Sequence, residues 1–361
     1  MTLLLAALTL PASASARASA SRVTIPAGWP HHLALGAADS PGDAHALRAR
    51  ARVDMRYQYL AGGVNTGHGW ATWNPGGSFV TLYVRESFAA DTIPVFTYYQ
   101  LLQSAPSVGG SERARDLSNL RNRATMRAYW RDYELLLRRV NAAAGSRLVV
   151  IHVEPDLWGY LEQAHATALA RGFAHRLITL RNRLAPHVLL AWHLSVWGTD
   201  EDPTYSKPSP AHMDHLAAIS AAFYESLRAR FDLVFNDVTD RDAGYYQYVE
   251  GNPRTWWGPA DFARHDRYIA GFTRRAHTAV VLWQLPVGDT HENNTWNHFR
   301  DNRLQWWLGA DSAAHLRATR AAGVIGLLFG AGATGNTTPQ TDGGFFYRLA
   351  RRYEAHPLRL G

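Results

Sequence analysis

Two acidic stretches of the chain carry the residue types needed for acid–base chemistry. In VVIHVEPDLWGY (149–160) a β-branched run holds His152 and breaks into Glu154, Pro155 and Asp156. In FNDVTDRDAGYY (235–246) an apolar run ends in Asn236 and Asp237, with Asp240 and Asp242 close behind. A strand buried on both faces reads as nearly continuous Val, Ile and Leu, so acids at its end call for a reason. A pair of carboxylates flanking a scissile bond can divide the work, one giving a proton and the other acting as base or nucleophile. Glu154 is the candidate acid, with Asp237 or Asp240 as its partner. Asp242 is read as balancing Arg241 or capping the next segment, and Asp156 as support for Glu154 or a helix cap.

Positioning those residues takes a repeating framework, and the chain has one. Apolar runs recur at 33–39, 53–60, 92–102, 147–156, 187–197, 231–238, 279–286 and 323–330. Segments with a 3.6-residue apolar period separate most of them: a short one near 43–51, then 111–145, 161–185, 210–229, 260–277, 298–321 and 344–355. Strands alternating with helices imply right-handed crossovers and a parallel sheet. Eight such units without a second domain point to a single (β/α)8 barrel over residues 21–361, with an open doubly wound sheet as the alternative. GAGATG (330–335) matches a dinucleotide-binding glycine pattern. It follows the last strand, however, with neither helix nor acid where that site needs them. It reads as a βα loop, and no cofactor is expected.

Active sites of such barrels form where the strands end. Polar residues on buried strands are expected to face inward there: Arg56 and Gln58 on strand two, Tyr98 on three, His152 on four, His193 on five, Asn236 on six and Gln284 on seven. By the same alternation Asp237 turns away, which favours Asp240 as the second acid unless the strand has already ended. Tryptophans crowd the polar loops after the strands, among them Trp70, Trp73, Trp158, Trp197, Trp256, Trp257 and Trp296. An exposed indole is a liability without a partner, and a sugar ring supplies both the flat face and a rim of hydroxyls. Trp158, Trp197, Trp283, Trp296, Asp156 and Asp342 complete the expected substrate contacts, Asp342 also capping the last helix. TDEDP (199–203) reads as a solvated loop or a weak cation site, and Trp130 as core.

Composition narrows the classes. The 361 residues contain no cysteine, which excludes disulfides, thiolate chemistry and Cys-ligated zinc. The formal charge is +7 and the sequence pI about 9.7. Lys207 is the only lysine, and the arginines are scattered along helices without a basic tract, so no nucleic-acid partner is expected. Residues 1–20 read as a secretory signal peptide with Ala-x-Ala steps, too short to span a bilayer. The expected location is outside the cell, with no membrane contact after cleavage.

Eight βα units with Glu154 ending strand four resemble the TIM-barrel glycoside hydrolases as a group, which implies a carbohydrate substrate. Glu154-Pro155-Asp156 is also similar to a motif of family 6 cellulases. The chain departs from the large retaining clan at two places, since Val153 precedes Glu154 and strand seven ends in Gln284. Two other readings stay open. One is a metal-assisted phosphodiesterase with His152, Glu154, Asp156 and His193 as ligands. The other is a barrel that binds glycan through its tryptophans without turning it over.

Overall fold

A computed structural model describes residues 23–330 and 332–361; the expected signal peptide lies outside the described residues. Eight strands run β1 (Ala34–Ala38), β2 (Met55–Leu60), β3 (Ile93–Tyr98), β4 (Val149–Val153), β5 (Val188–His193), β6 (Leu233–Asp237), β7 (Val280–Leu285) and β8 (Val324–Phe329). All neighbours are parallel and follow chain order, and β8 closes on β1 from Ala34↔Gly326 to Ala37↔Phe329. The sheet is therefore a closed (β/α)8 barrel, and the open doubly wound alternative is excluded.

Side-chain alternation sorts each strand into two layers. Ala34, Met55, Tyr57, Val95, Val150, Ala191, Leu233, Phe235, Val281, Trp283 and Leu328 fill the interior. Leu60, Phe96, Tyr98, Ile151, Val153, Trp192, Val234, Leu282 and Phe329 pack outward against the helices. On β1 a side chain at Gly36 would run into that of Leu328 and come within 2.8 Å of the Met55 carbonyl, so only glycine fits between the flanking strands. Trp29 closes the floor, 3% exposed and donating its indole N–H to the Ile325 carbonyl at 3.1 Å. Trp29→Ala should cost about 3–5 kcal/mol of stability, as large-to-small changes of buried aromatics do; urea unfolding followed by fluorescence would show it.

The helices follow the apolar periodicity, with breaks where the chain caps itself. The long segment 111–145 is two helices, Glu112–Arg121 and Arg123–Ala144. Asn122 is extended between them (φ −78°, ψ 116°), and its side chain accepts from the amides of Ala124 and Thr125 at 2.9 and 3.0 Å. The segment after β4 divides into Pro155–Gln163 and Thr167–Leu184, and 298–321 into Arg303–Leu308 and Ser312–Ala321. A helix that sequence reading passed over, Ser78–Ala89, links β2 to β3 and buries Val80, Tyr83 and Val84.

Candidate active site

A cavity of about 410 Å³ opens at the C-terminal ends of the strands. Asp156, His193, Asp237, Asp240, Trp197, Trp283 and Gln284, all expected from the sequence, line it. Tyr59, Tyr99, Glu112, Asp202, Tyr205 and Tyr246 also line it, none of them expected as contacts from the sequence.

Two left-handed residues explain who enters the cavity and who leaves it. Alternation would send Glu154 inward after Val150 and His152, but at φ +46° its side chain swings into the helix layer. There its carboxyl receives the backbone amides of Gln100 and Leu101 at 3.1–3.3 Å, beside the Tyr129 hydroxyl, with no exposure. Glu154 does not line the cavity, which corrects the expectation that it is the mouth acid. Pro155 then opens a helix at once, and Asp156 in its first turn occupies the place foreseen for Glu154. On β7 the ladder to β8 is irregular between Leu282 and Leu285. Gln284, at φ +57°, is brought to the cavity there and donates to the Tyr59 hydroxyl.

Burial pushes the Glu154 carboxyl up to about 8, outweighing its two amide donors. An acid raised on folding favours the protonated native state, so stability is retained below the ordinary Glu range and declines as pH rises towards 8. Glu154→Gln reproduces the protonated form. It should flatten this decline in thermal unfolding measured from pH 5 to 8, while leaving any activity of the cavity in place.

On β6 the interior residues are Leu233 and Phe235, and the alternation continues to Asp237, which lines the cavity. Asn236 lies outside the barrel, donating to the Leu194 carbonyl at 2.7 Å and bonded to His265 at 2.9 Å. This reverses the expectation for both residues. Arg56 likewise faces outward, fully buried in ion pairs with Asp39 at 2.7 Å and Glu86 at 3.2 Å. Gln58 bonds the Tyr59 amide and Tyr98 donates to Asp132, so neither reaches the cavity. The cavity receives Tyr59 of β2 and Tyr99, the residue after β3, instead.

Trp158 is core, fully buried against Phe173, Trp192 and Phe231. Trp296 is 60% exposed and stands against Gly335, outside the cavity. Asp342 accepts from the amides of Gly344 and Phe346 at 2.8 and 2.6 Å, the expected cap of the helix Phe345–Ala355, without lining the cavity. Asp242 is buried and receives the Thr337 amide at 2.7 Å. Asp202, from the loop read as solvated, caps the helix Pro203–Ser206 at the cavity wall.

The two carboxylates at the ends of β4 and β6 sit in different surroundings. Asp156 receives the Tyr99 hydroxyl at 2.7 Å, and burial raises it above the usual carboxylate range, with Asp237 adding to the rise. Asp237 lies 3.0 Å from His193 Nε2. His193 Nδ1 is 3.0 Å from His152 Nε2, and His152 Nδ1 is 3.4 Å from the Thr97 hydroxyl. Burial, with His193 beside it, pushes His152 well below the usual histidine range and keeps it neutral. One hydrogen pattern satisfies the row: Thr97 donates to His152, His152 to His193, and His193 to Asp237. Both ring nitrogens of His152 are thereby occupied, and Glu154 is on the far side of the strand. The four residues considered as a metal set do not converge. Among the described residues no cluster of three or more His, Asp or Glu is arranged to hold a metal ion.

No family model and no curated protein matches the sequence. Solved structures match it by shape. An engineered protein shares 12% identity over 91% of this chain and 69% of its own, with a TM-score of 0.57. GH26C from Muricauda sp. shares 10% over 90% and 86%, at 0.54. The exo-β-1,4-mannosidase Op5Man5 from Opitutaceae bacterium strain TAV5 shares 12% over 91% of this chain at 0.53, and this chain spans only 62% of its length. Identities this low speak for architecture alone. The chain shares the (β/α)8 barrel architecture of these solved structures.

Proposed function

We propose that the protein is a glycoside hydrolase in which Asp156 is the general acid and Asp237 the base or nucleophile. The observation that carries this reading is the unequal pair of carboxylates in one aromatic-walled cavity. An acid catalyst must hold its proton near working pH, and burial of Asp156 favours its protonated form. Tyr99 donates to one of its oxygens, leaving the other to carry the proton to the departing sugar oxygen. The partner must be oriented towards the sugar, and the His193 N–H aimed at Asp237 holds it in place. Trp197 offers a flat apolar face for a sugar ring, Trp283 closes the floor of the cavity, and Gln284 and Tyr59 offer polar groups for hydroxyls.

The test is product analysis. The wild-type protein is incubated with a panel of polysaccharides, with and without EDTA, and released oligosaccharides are read by mass spectrometry. Fragments that persist in EDTA are expected. Fragments lost in EDTA, or phosphodiester cleavage in place of glycan cleavage, would favour the metal-assisted reading.

A further inference from the structure

The charge of the cavity is one-sided. Glu112, Asp156, Asp202, Asp237 and Asp240 line it, and no lysine or arginine among the described residues does. This runs against the chain as a whole, which carries 37 Lys and Arg to 30 Asp and Glu. The nearby cations are few. Arg115 comes within 3.9 Å of Glu112 from the same helix, and Asp237 meets the His193 ring. Arg241, next in sequence to Asp240, lies over the Tyr245 ring and donates to the Thr334 carbonyl. Asp156, Asp202 and Asp240 have only neutral donors: the Tyr99 hydroxyl, the Thr204 hydroxyl and amide, and the Tyr246 hydroxyl.

A cleft of one sign with low-dielectric walls focuses its field and concentrates ligands of opposite charge. It also repels ligands of like charge, since carboxylates left unpaired in a partly buried site are costly. Resting on the glycan reading above, we infer that the sugar bound here carries protonated amines: a de-N-acetylated amino-sugar oligomer or polymer. A glycan bearing uronates or sulfates is excluded by the same charges. With Asp156 holding its proton as the general acid, the ammonium groups would pair with Asp202 and Asp240, which lack a cation, and the aromatic walls suit both the ring faces and cation–π contact.

Binding tests this apart from turnover. Asp237→Asn, which should halt cleavage, is titrated calorimetrically with a glucosamine hexamer, its fully N-acetylated counterpart, a glucose hexamer and a linear polyamine, below the amine pKa. The glucosamine hexamer should bind about tenfold or more tighter than either neutral hexamer, the worth of one charge-assisted hydrogen bond. That preference should shrink with added salt. Adding Asp240→Asn, an exposed position that can be checked for folding by circular dichroism, should weaken the glucosamine hexamer alone. Equal or tighter binding of a neutral hexamer, or indifference to Asp240→Asn, would overturn the inference. A polyamine bound as tightly would overturn its sugar part. Cleavage of neutral glycans without amine preference would defeat this inference and leave the hydrolase reading standing. Amine-dependent binding of glycans that the wild type never cleaves would do the reverse.

Discussion

Asp237→Asn should slow glycan cleavage by about a hundred- to ten-thousand-fold, the range lost with a general base or its equivalent. The fold should survive, because Asp237 is partly exposed at the end of β6 and an amide can still accept from His193 Nε2. What disappears is the charge. An amide neither takes a proton from water nor attacks a sugar carbon, so kcat should fall with little change in KM. Steady-state kinetics on any cleaved glycan checks this. A loss confined to KM would make Asp237 a binding residue and leave the base unassigned.

The second large effect belongs to Asp156→Asn. Without a proton donor the leaving oxygen must depart as an alkoxide, so natural glycans should lose about as much rate as for a missing general acid. Aryl glycosides with good leaving groups should lose far less, since they need no protonation. The pH dependence follows from the same group. Asp156 is active when protonated and is raised by burial, so wild-type activity should decline on the alkaline side as pH rises through its elevated pKa. The variant should lose that alkaline limb. Equal losses on natural and aryl substrates would remove Asp156 from the acid role.

These assignments show what the sequence could convey. The eight strands lie within the apolar runs that mark them, and His152 and His193 are interior as their strands suggest. Asp156, Asp237, Asp240, Trp197, Trp283 and Gln284 were visible as residues near strand ends. Their orientation was harder to read. The premise that a polar residue on a buried strand faces inward failed at Arg56 and Asn236, because the helix layer satisfies both: Asp39 and Glu86 pair one, His265 the other. Such partners lie on other elements and leave no local signal. On β2 the reliable clue was the reverse, since Met55 and Tyr57 fill the interior and Tyr59 follows them to the cavity.

The exchange of Glu154 for Asp156 has a similar cause. Alternation along β4 favours Glu154, and a left-handed φ at one residue undoes it. Pro155 was the available hint, being common at the first position of a helix and so marking the strand as already over. Tyr99, Glu112 and Asp202 reach the cavity through the third and fifth βα loops, which end at the helix caps Ser111 and Asp202.

The acid and base roles are separated by three variants set side by side on one cleaved glycan in EDTA. Rates of oligosaccharide release are compared for Asp156→Asn, Asp237→Asn and Glu154→Gln against the wild type. The first two should lose nearly all release, and Glu154→Gln should keep it. Loss in Glu154→Gln with Asp156→Asn still active would contradict it, and would return the acid role to the residue buried behind Gln100 and Leu101.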